Sequence, residues 1–382
     1  MSYKLSWNYY GSELKYEPFD FGLSNDQEQR ALDLHKKSIL FDNLSPANFV
    51  DSYIKALSEA GITVIQKTIG PMTAIDPMTA IRGIFQWNNT LKRNQCFAIG
   101  PITRLDEVYK AKEQRKTAYI YGLQNTLAFS YGEIQWVKLF YDLGIRIVQL
   151  AHNWRNMVAD GCGECPNSRP TRSGFPRIGT DAGLSQYGEE IVDELNRLNM
   201  IVDVSHVGDK SSMEAIERAN IVVASHANAR SVCDNMRNKT DECLKALAEK
   251  DGVIGVNALT SLVKWTKVEK GIRPTINDLL DHVDYMTDLI GVNYIGIGFD
   301  HIDLWPPERQ ASLVIGAPHL YGKTYPMDGT TRGIYPYPEG MDSEVQFLNF
   351  TRGLVARGYS NEEIQKILGL NWMRVYQKVF SR

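Results

Sequence analysis

The polar residues that stand directly after short apolar runs are the ones able to do chemistry in this chain. Run by run they are Gln124-Asn125, His152-Asn153, His206, His226, Asn257 and Asp300. A lone histidine at the end of a strand is as readily a loop cap as a working group. Three on successive runs, with an aspartate after the last, read as a site. If the runs before His206 and His226 are neighbouring strands, their axes lie about 4.8 Å apart. Two imidazoles at that spacing can reach one zinc ion, with Zn–N bonds of about 2.0–2.1 Å. Asp300 is the best candidate for a third ligand.

The runs themselves must be the elements that hold these residues. They are Ser38–Asp42, Gly61–Lys67, Ala118–Gly122, Arg146–Ala151, Met200–Ser205, Ile221–Ser225, Gly252–Val256 and Tyr294–Phe299. Continuous apolar runs of this length, separated by helical stretches, indicate parallel strands buried on both faces. Among the helices, Tyr187–Leu198 places Ile191, Val192, Leu195 and Leu198 on one stripe. Leu244–Lys250 follows Thr240-Asp241-Glu242, a helix-start signal, and helices at Asn361–Ile367 and Asn371–Phe380 close the chain. Eight strand–helix repeats in series predict an α/β fold of the (β/α)₈ TIM-barrel type, in which the site lies at the C-terminal ends of the strands. We expect a single domain at 31–382, preceded by an arm at 1–30. A long loop after the eighth strand, at 301–340, is rich in Gly, Pro and aromatics and has the character of a lid.

Composition narrows the function classes. The 382 residues are 43% hydrophobic and 23% charged, with 42 Lys+Arg against 45 Asp+Glu for a net charge of −3. That is an ordinary globular composition without the basic footprint of a nucleic-acid binder. No stretch approaches the roughly 18 apolar residues of a membrane span. Five cysteines, an odd number, suit reduced thiols better than a disulfide framework, so a cytoplasmic protein with no membrane partner is expected. Cys162 and Cys165 have C-x-x-C spacing but lack the second pair a zinc ribbon needs. Gly322-Lys323-Thr324 has no upstream glycine for a phosphate loop.

Longer blocks carry a family likeness. LFYDLGIRIVQLAHN, GLSQYGEEIVDELNRLNMIVDVSHVGD, SHANARSVCDNMRNKTDE, IGVNYIGIGFD and TRGLVARGYSNEEIQKILGLNWMRV resemble the membrane (renal) dipeptidase family, zinc dipeptidases on an amidohydrolase-type barrel. The likeness runs from about residue 30 to the end. It implies that His206 and His226 hold one zinc and that His152 binds substrate and polarises the tetrahedral intermediate. It further implies that Arg237 grips the substrate carboxylate, and that Asp300 takes a proton from the bridging water. Asn153 and Gln124 join them as substrate contacts.

Departures from the family pattern shape the expectation. The first strand should end in a His-x-Asp zinc pair, yet Leu44 and Pro46 occupy those positions, and Gln124 replaces a bridging glutamate. Neither aliphatic side chain can bind zinc, and a neutral amide is a poor ligand. One zinc ion or none is therefore expected. The leading reading is a dipeptidase-like hydrolase of a small carboxylate-bearing amide. The alternatives are a metal-independent lyase, isomerase or tautomerase using His152 and Asp300 on a small zwitterion, and a binding protein without turnover. A homodimer is left open by family analogy.

Overall fold

The apolar runs become strands, and the strands close into a ring. The computed structural model describes residues 16–70, 76–129, 132–164, 181–305, 318–321 and 336–381. Its strands are β1 (Phe41–Ser45), β2 (Val64–Thr68), β3 (Ala98–Ile99), β4 (Thr117–Leu123), β5 (Ile145–Gln149), β6 (Ile201–Asp203), β7 (Val222–Val223), β8 (Ile254–Val256) and β9 (Ile295–Ile297). All pairings are parallel, in the order β7-β6-β5-β4-β2-β1-β9-β8. A parallel bridge between Ala224 and Ile254 joins the two ends. The result is the expected (β/α)₈ barrel, with short β3 hanging off β4 as an addition the sequence did not signal.

Every strand differs from its run at one end or both, and two of the shifts have clear local reasons. β1 starts at Phe41 rather than Ser38, because the helix Asn25–Lys37 ends directly before Ser38 and residues 38–40 are its exit. Asp42 therefore lies inside the strand. β7 shrinks to two residues because the amide of Ser225 turns away from the ladder and donates to Asp203 (2.9 Å). The helix Asn25–Lys37 also begins within the segment expected to be an arm. Residues 16–24 lie against the helix Phe347–Ala356, where Arg352 donates to the Phe19 carbonyl (2.7 Å) and Asn349 to the Glu17 carbonyl (2.8 Å). Most of the 301–340 loop, and Cys165, fall outside the described residues.

The helices follow from their caps and stripes. Ser185 accepts from the Gly188 amide (2.9 Å) to start the helix Gln186–Arg197, which buries Ile191, Val192 and Leu195 completely. Each such side chain contributes about 1.5–3 kcal/mol. Thr240 caps Asp241–Glu249 in the same way, a contact worth about 1 kcal/mol.

The barrel interior is apolar at the bottom and polar at the top. Phe41, Val64, Ile120, Ile147, Ile201, Val223 and Val253 form the lower layer, and the helix Asn371–Phe380 covers it with Trp372 and Tyr376. The Trp372 indole donates to the Ile297 carbonyl (2.9 Å), Tyr376 donates to Asn43 Oδ1 (2.8 Å), and the Tyr376 ring stacks on Phe41 at 5.3 Å. On the closing seam a side chain at Gly298 would place its Cβ 1.9 Å from the Ser225 carbonyl oxygen, and one at Gly255 2.1 Å from it. Only glycine lets β9 and β8 come so near the strand that carries His226.

Candidate active site

At the upper rim the chain leaves several strands through a left-handed residue. Asn153, His206 and Asp300 all have φ of +62°, a region that non-glycine residues visit rarely and at a cost of about 1–3 kcal/mol. The turn aims each side chain across the mouth instead of back along its strand.

His206 and His226 meet there, with their Nε2 atoms 2.9 Å apart. What lies behind each ring fixes its proton. His206 Nδ1 is 2.6 Å from the Asn153 side-chain oxygen, an acceptor, so Nδ1 carries the hydrogen. His226 Nδ1 is 2.6 Å from Ser225 Oγ. That hydroxyl spends its own hydrogen on Asp203 Oδ2, so it accepts from the ring. Both Nε2 atoms then present bare lone pairs to one another in a buried place, which is repulsive unless a cation or a proton lies between them. Burial, reinforced by the Arg237 charge, pushes both histidines well below their ordinary pKa. They are neutral at pH 7, the form that binds metal. The donor set therefore fits one divalent ion such as zinc, with the backing of each ring that metal-binding histidines usually have.

The other expected residues take distinct places. His152 stacks on His206 with ring centres 4.0 Å apart, and burial lowers its pKa to about 3. Asp300 Oδ2 accepts from the Asn257 amide (3.2 Å), and its backbone carbonyl accepts from the Tyr337 hydroxyl (2.9 Å). Burial raises its pKa to about 6, against the pull of Arg237 and Asn257. Asp300 does not form, with the two histidines, a three-donor cluster with all donor atoms within 4.8 Å; among the described residues Asp42, His301 and Glu344 form the one such group. Arg237 is buried, donates Nη2 to the His226 carbonyl (2.7 Å), and leaves Nε and Nη1 without a partner. A buried guanidinium with two free N–H groups is a receptor for an anion.

Gln124 turns its amide into the wall, donating Nε2 to Thr68 (2.6 Å), while its Oε1 is unpartnered. Asn153 backs His206 and also donates to the Tyr321 hydroxyl (3.2 Å). Its side chain thus positions an imidazole. The sequence places Asn257 at the rim without a role, and it assigns none to Tyr321 or to the Asp203–Ser225 pair. Asn257 stood in plain view after its strand, and Asp203-x-Ser205 and Ser225-His226 at neighbouring strand ends are the signal for the backing pair. Tyr321 arrives from the 301–340 loop, whose richness in aromatics is the sequence signal for it.

The mouth of the parallel barrel thus brings together facing imidazoles, a buried arginine and a carboxylate. Residues 84–309 match the model of the membrane dipeptidase family (peptidase family M19), and the chain belongs to that family. Dipeptidase tcpJ of Claviceps purpurea is 26% identical over 245 residues, 64% of this chain and 47% of that one. Dipeptidase 3 of Homo sapiens is 24% identical over 302 residues, 79% of this chain and 53% of its own. The chain thus spans about half the length of these relatives. Among solved structures, an amidohydrolase from Pseudomonas aeruginosa superposes with a TM-score of 0.78 at 30% identity, covering 92% of this chain and 99% of that one. A metallo peptidase from Rhodobacter sphaeroides, liganded with a phosphinate mimic of the dipeptide L-Ala-D-Ala, shares the fold at TM-score 0.67 and 18% identity, over 90% of this chain and 100% of its own. No helix among the described residues is long and apolar enough to cross a membrane.

Proposed function

We propose that the chain is a dipeptidase-like hydrolase of a small amide bearing a carboxylate, working with a metal site reduced to one divalent ion on His206 and His226. The facing Nε2 lone pairs carry this reading, because both Nδ1 hydrogens are already committed to Asn153 and Ser225. Leu44 and Pro46 offer no ligand atom, and Gln124 offers only an amide oxygen, which argues against a second ion at the family position. When bound, the ion supplies Lewis-acid charge to an amide carbonyl and makes water a stronger acid.

The remaining roles belong to the chain. Arg237 binds the substrate carboxylate through guanidinium N–H groups that the protein leaves unpartnered and so sets which end of the molecule faces the histidines. His152, neutral at working pH, keeps one ring N–H to donate to the oxygen on which charge develops. Asp300, ionised above about pH 6, takes the proton from the attacking water and returns it to the leaving amine. Asn257 holds that carboxylate in place.

The test is hydrolysis of a panel of dipeptides and N-acyl amino acids, with metal content measured on the same protein. The expected result is turnover that falls on chelation, returns with zinc, and is absent in the double variant His206→Ala/His226→Ala. Full turnover by exhaustively chelated protein would overturn the reading in favour of proton transfer by His152 and Asp300.

A further inference from the structure

Behind Asp300, outside the strand ring, lies a second group of donors that the proposed reaction does not use. Asp42 of β1, His301 and Glu344 are buried, and one ligand atom from each lies within 4.8 Å of the others. Asp42 Oδ1 is occupied by the amides of Leu44 (3.0 Å) and Phe299 (3.2 Å), while Oδ2 has no partner. Glu344 Oε2 accepts from Ser45 (3.0 Å) and Tyr53 (3.2 Å), while Oε1 has none. The His301 Nε2–H donates to the Met341 carbonyl (2.9 Å), which fixes the tautomer and leaves Nδ1 as a bare, unpartnered lone pair. Each residue thus has one side committed and one acceptor atom free. Among the described residues no lysine or arginine pairs with either carboxylate.

Three buried acceptors with no donor among them are costly unless something positive joins them. We propose that Asp42, His301 and Glu344 form a second divalent-metal site, separate from the histidine pair, that takes Mn²⁺ or Zn²⁺. The mixed set of two carboxylates and one imidazole suits those ions better than Mg²⁺ or Ca²⁺, which prefer oxygen alone. His301 has the carbonyl backing that orients metal-binding imidazoles. Asp303 accepts from Tyr53 (2.8 Å), Ser343 (2.7 Å) and the Glu344 amide (3.0 Å), which secures Glu344 from behind. An ion here ties β1 to the start of the helix Phe347–Ala356 and to the residue next to Asp300, and so braces the rim from outside the mouth. The competing arrangement is a proton shared between the two carboxyls, which burial favours by raising the pKa of Asp42 to about 8.

Elemental analysis of the full chain, equilibrated with Mn²⁺ or Zn²⁺ and dialysed free of excess, separates the sites. The His206→Ala/His226→Ala variant is expected to keep about one ion per chain, and adding Glu344→Gln to that background to remove it. A metal-free double variant, or an unchanged count after Glu344→Gln, would overturn the proposal. Anomalous diffraction from wild-type crystals at the manganese and zinc edges decides it independently of whether the variants fold. A peak among Asp42, His301 and Glu344 supports the site, and its absence overturns the proposal. Loss of the histidine-pair ion alone would count against the proposed reaction and leave this site standing.

Discussion

The acid limb of the pH–rate profile tests the role given to Asp300 most directly. Its pKa of about 6 makes kcat/KM fall tenfold per unit below pH 6, to roughly a tenth of the plateau at pH 5. Asn257 is the lever, because its side-chain amide donates to Asp300 Oδ2 while its own oxygen caps the Leu259 amide (2.7 Å). Asn257→Asp keeps the cap and replaces the donor with an acceptor. A hydrogen bond to a charged group is worth about 1.5–3 kcal/mol. At about 1.36 kcal/mol per unit, its loss raises the Asp300 pKa by about one to two units. The new carboxylate adds to this: two unit charges 3.2 Å apart repel by about 5 kcal/mol at an effective dielectric of 20, so the pair holds one proton. The sign is fixed, since removing stabilisation from the charged form raises the pKa and moves the limb towards alkaline pH. For a limb shifted to 7.5, the ionised fraction at pH 6.5 drops from about three quarters to about a tenth, a loss of roughly eightfold that vanishes by pH 9. The assay is kcat/KM from pH 5 to 9 on the best substrate. A limb that stays at 6 in the variant would refute Asp300 as the group that moves the proton.

Four further outcomes rest on the geometry of the site and of the barrel floor. Arg237→Lys keeps the charge but loses the planar, multi-donor guanidinium, and kcat/KM for a free-carboxylate substrate should fall about 10–100-fold; the C-terminally amidated analogue, measured alongside, should change little. Asn153→Ala removes the acceptor behind His206 and should weaken metal binding about 10–100-fold in a chelator competition, with the far-ultraviolet circular dichroism unchanged. At the barrel floor, Trp372→Ala should cost about 3–5 kcal/mol in urea unfolding, whereas Tyr376→Phe, which leaves Asn43 without its donor, should cost about 1–3 kcal/mol.

The barrel was legible because its signal is local. An apolar run, a polar terminus and a capped amphipathic helix can each be seen within a dozen residues, and Thr240 caps as its sequence indicates. The rim residues were legible for the same reason: whatever follows a barrel strand faces the mouth. What escaped depends on distance along the chain. Glu344 meets Tyr53 across 291 positions, and nothing near either residue announces the other. Asp42 looked like the last residue of a run and proved to be inside the strand, because where the preceding helix ends decides where β1 begins. Asn153 stands next to a histidine and reads in the sequence as a substrate contact, while its oxygen fixes the tautomer of His206 from the neighbouring strand end. Hydrogen-bond direction of that kind is a property of assembled strands.

The floor of the barrel has a kinetic consequence. Tyr376 reaches Asn43 across 333 positions, so the cover over the lower apolar layer follows in sequence every strand it seals. A chain whose eight strands have already closed still shows Phe41, Val64, Ile147 and their neighbours to water until that helix docks. Such a species is native-like in its ring and sticky underneath, the kind of late intermediate that aggregates at high concentration. Contacts so far apart carry a high loop-closure cost. Recovery after dilution from denaturant should therefore depend on protein concentration more steeply than the strand ring alone would suggest, with the final helix acting as the step that ends the exposure.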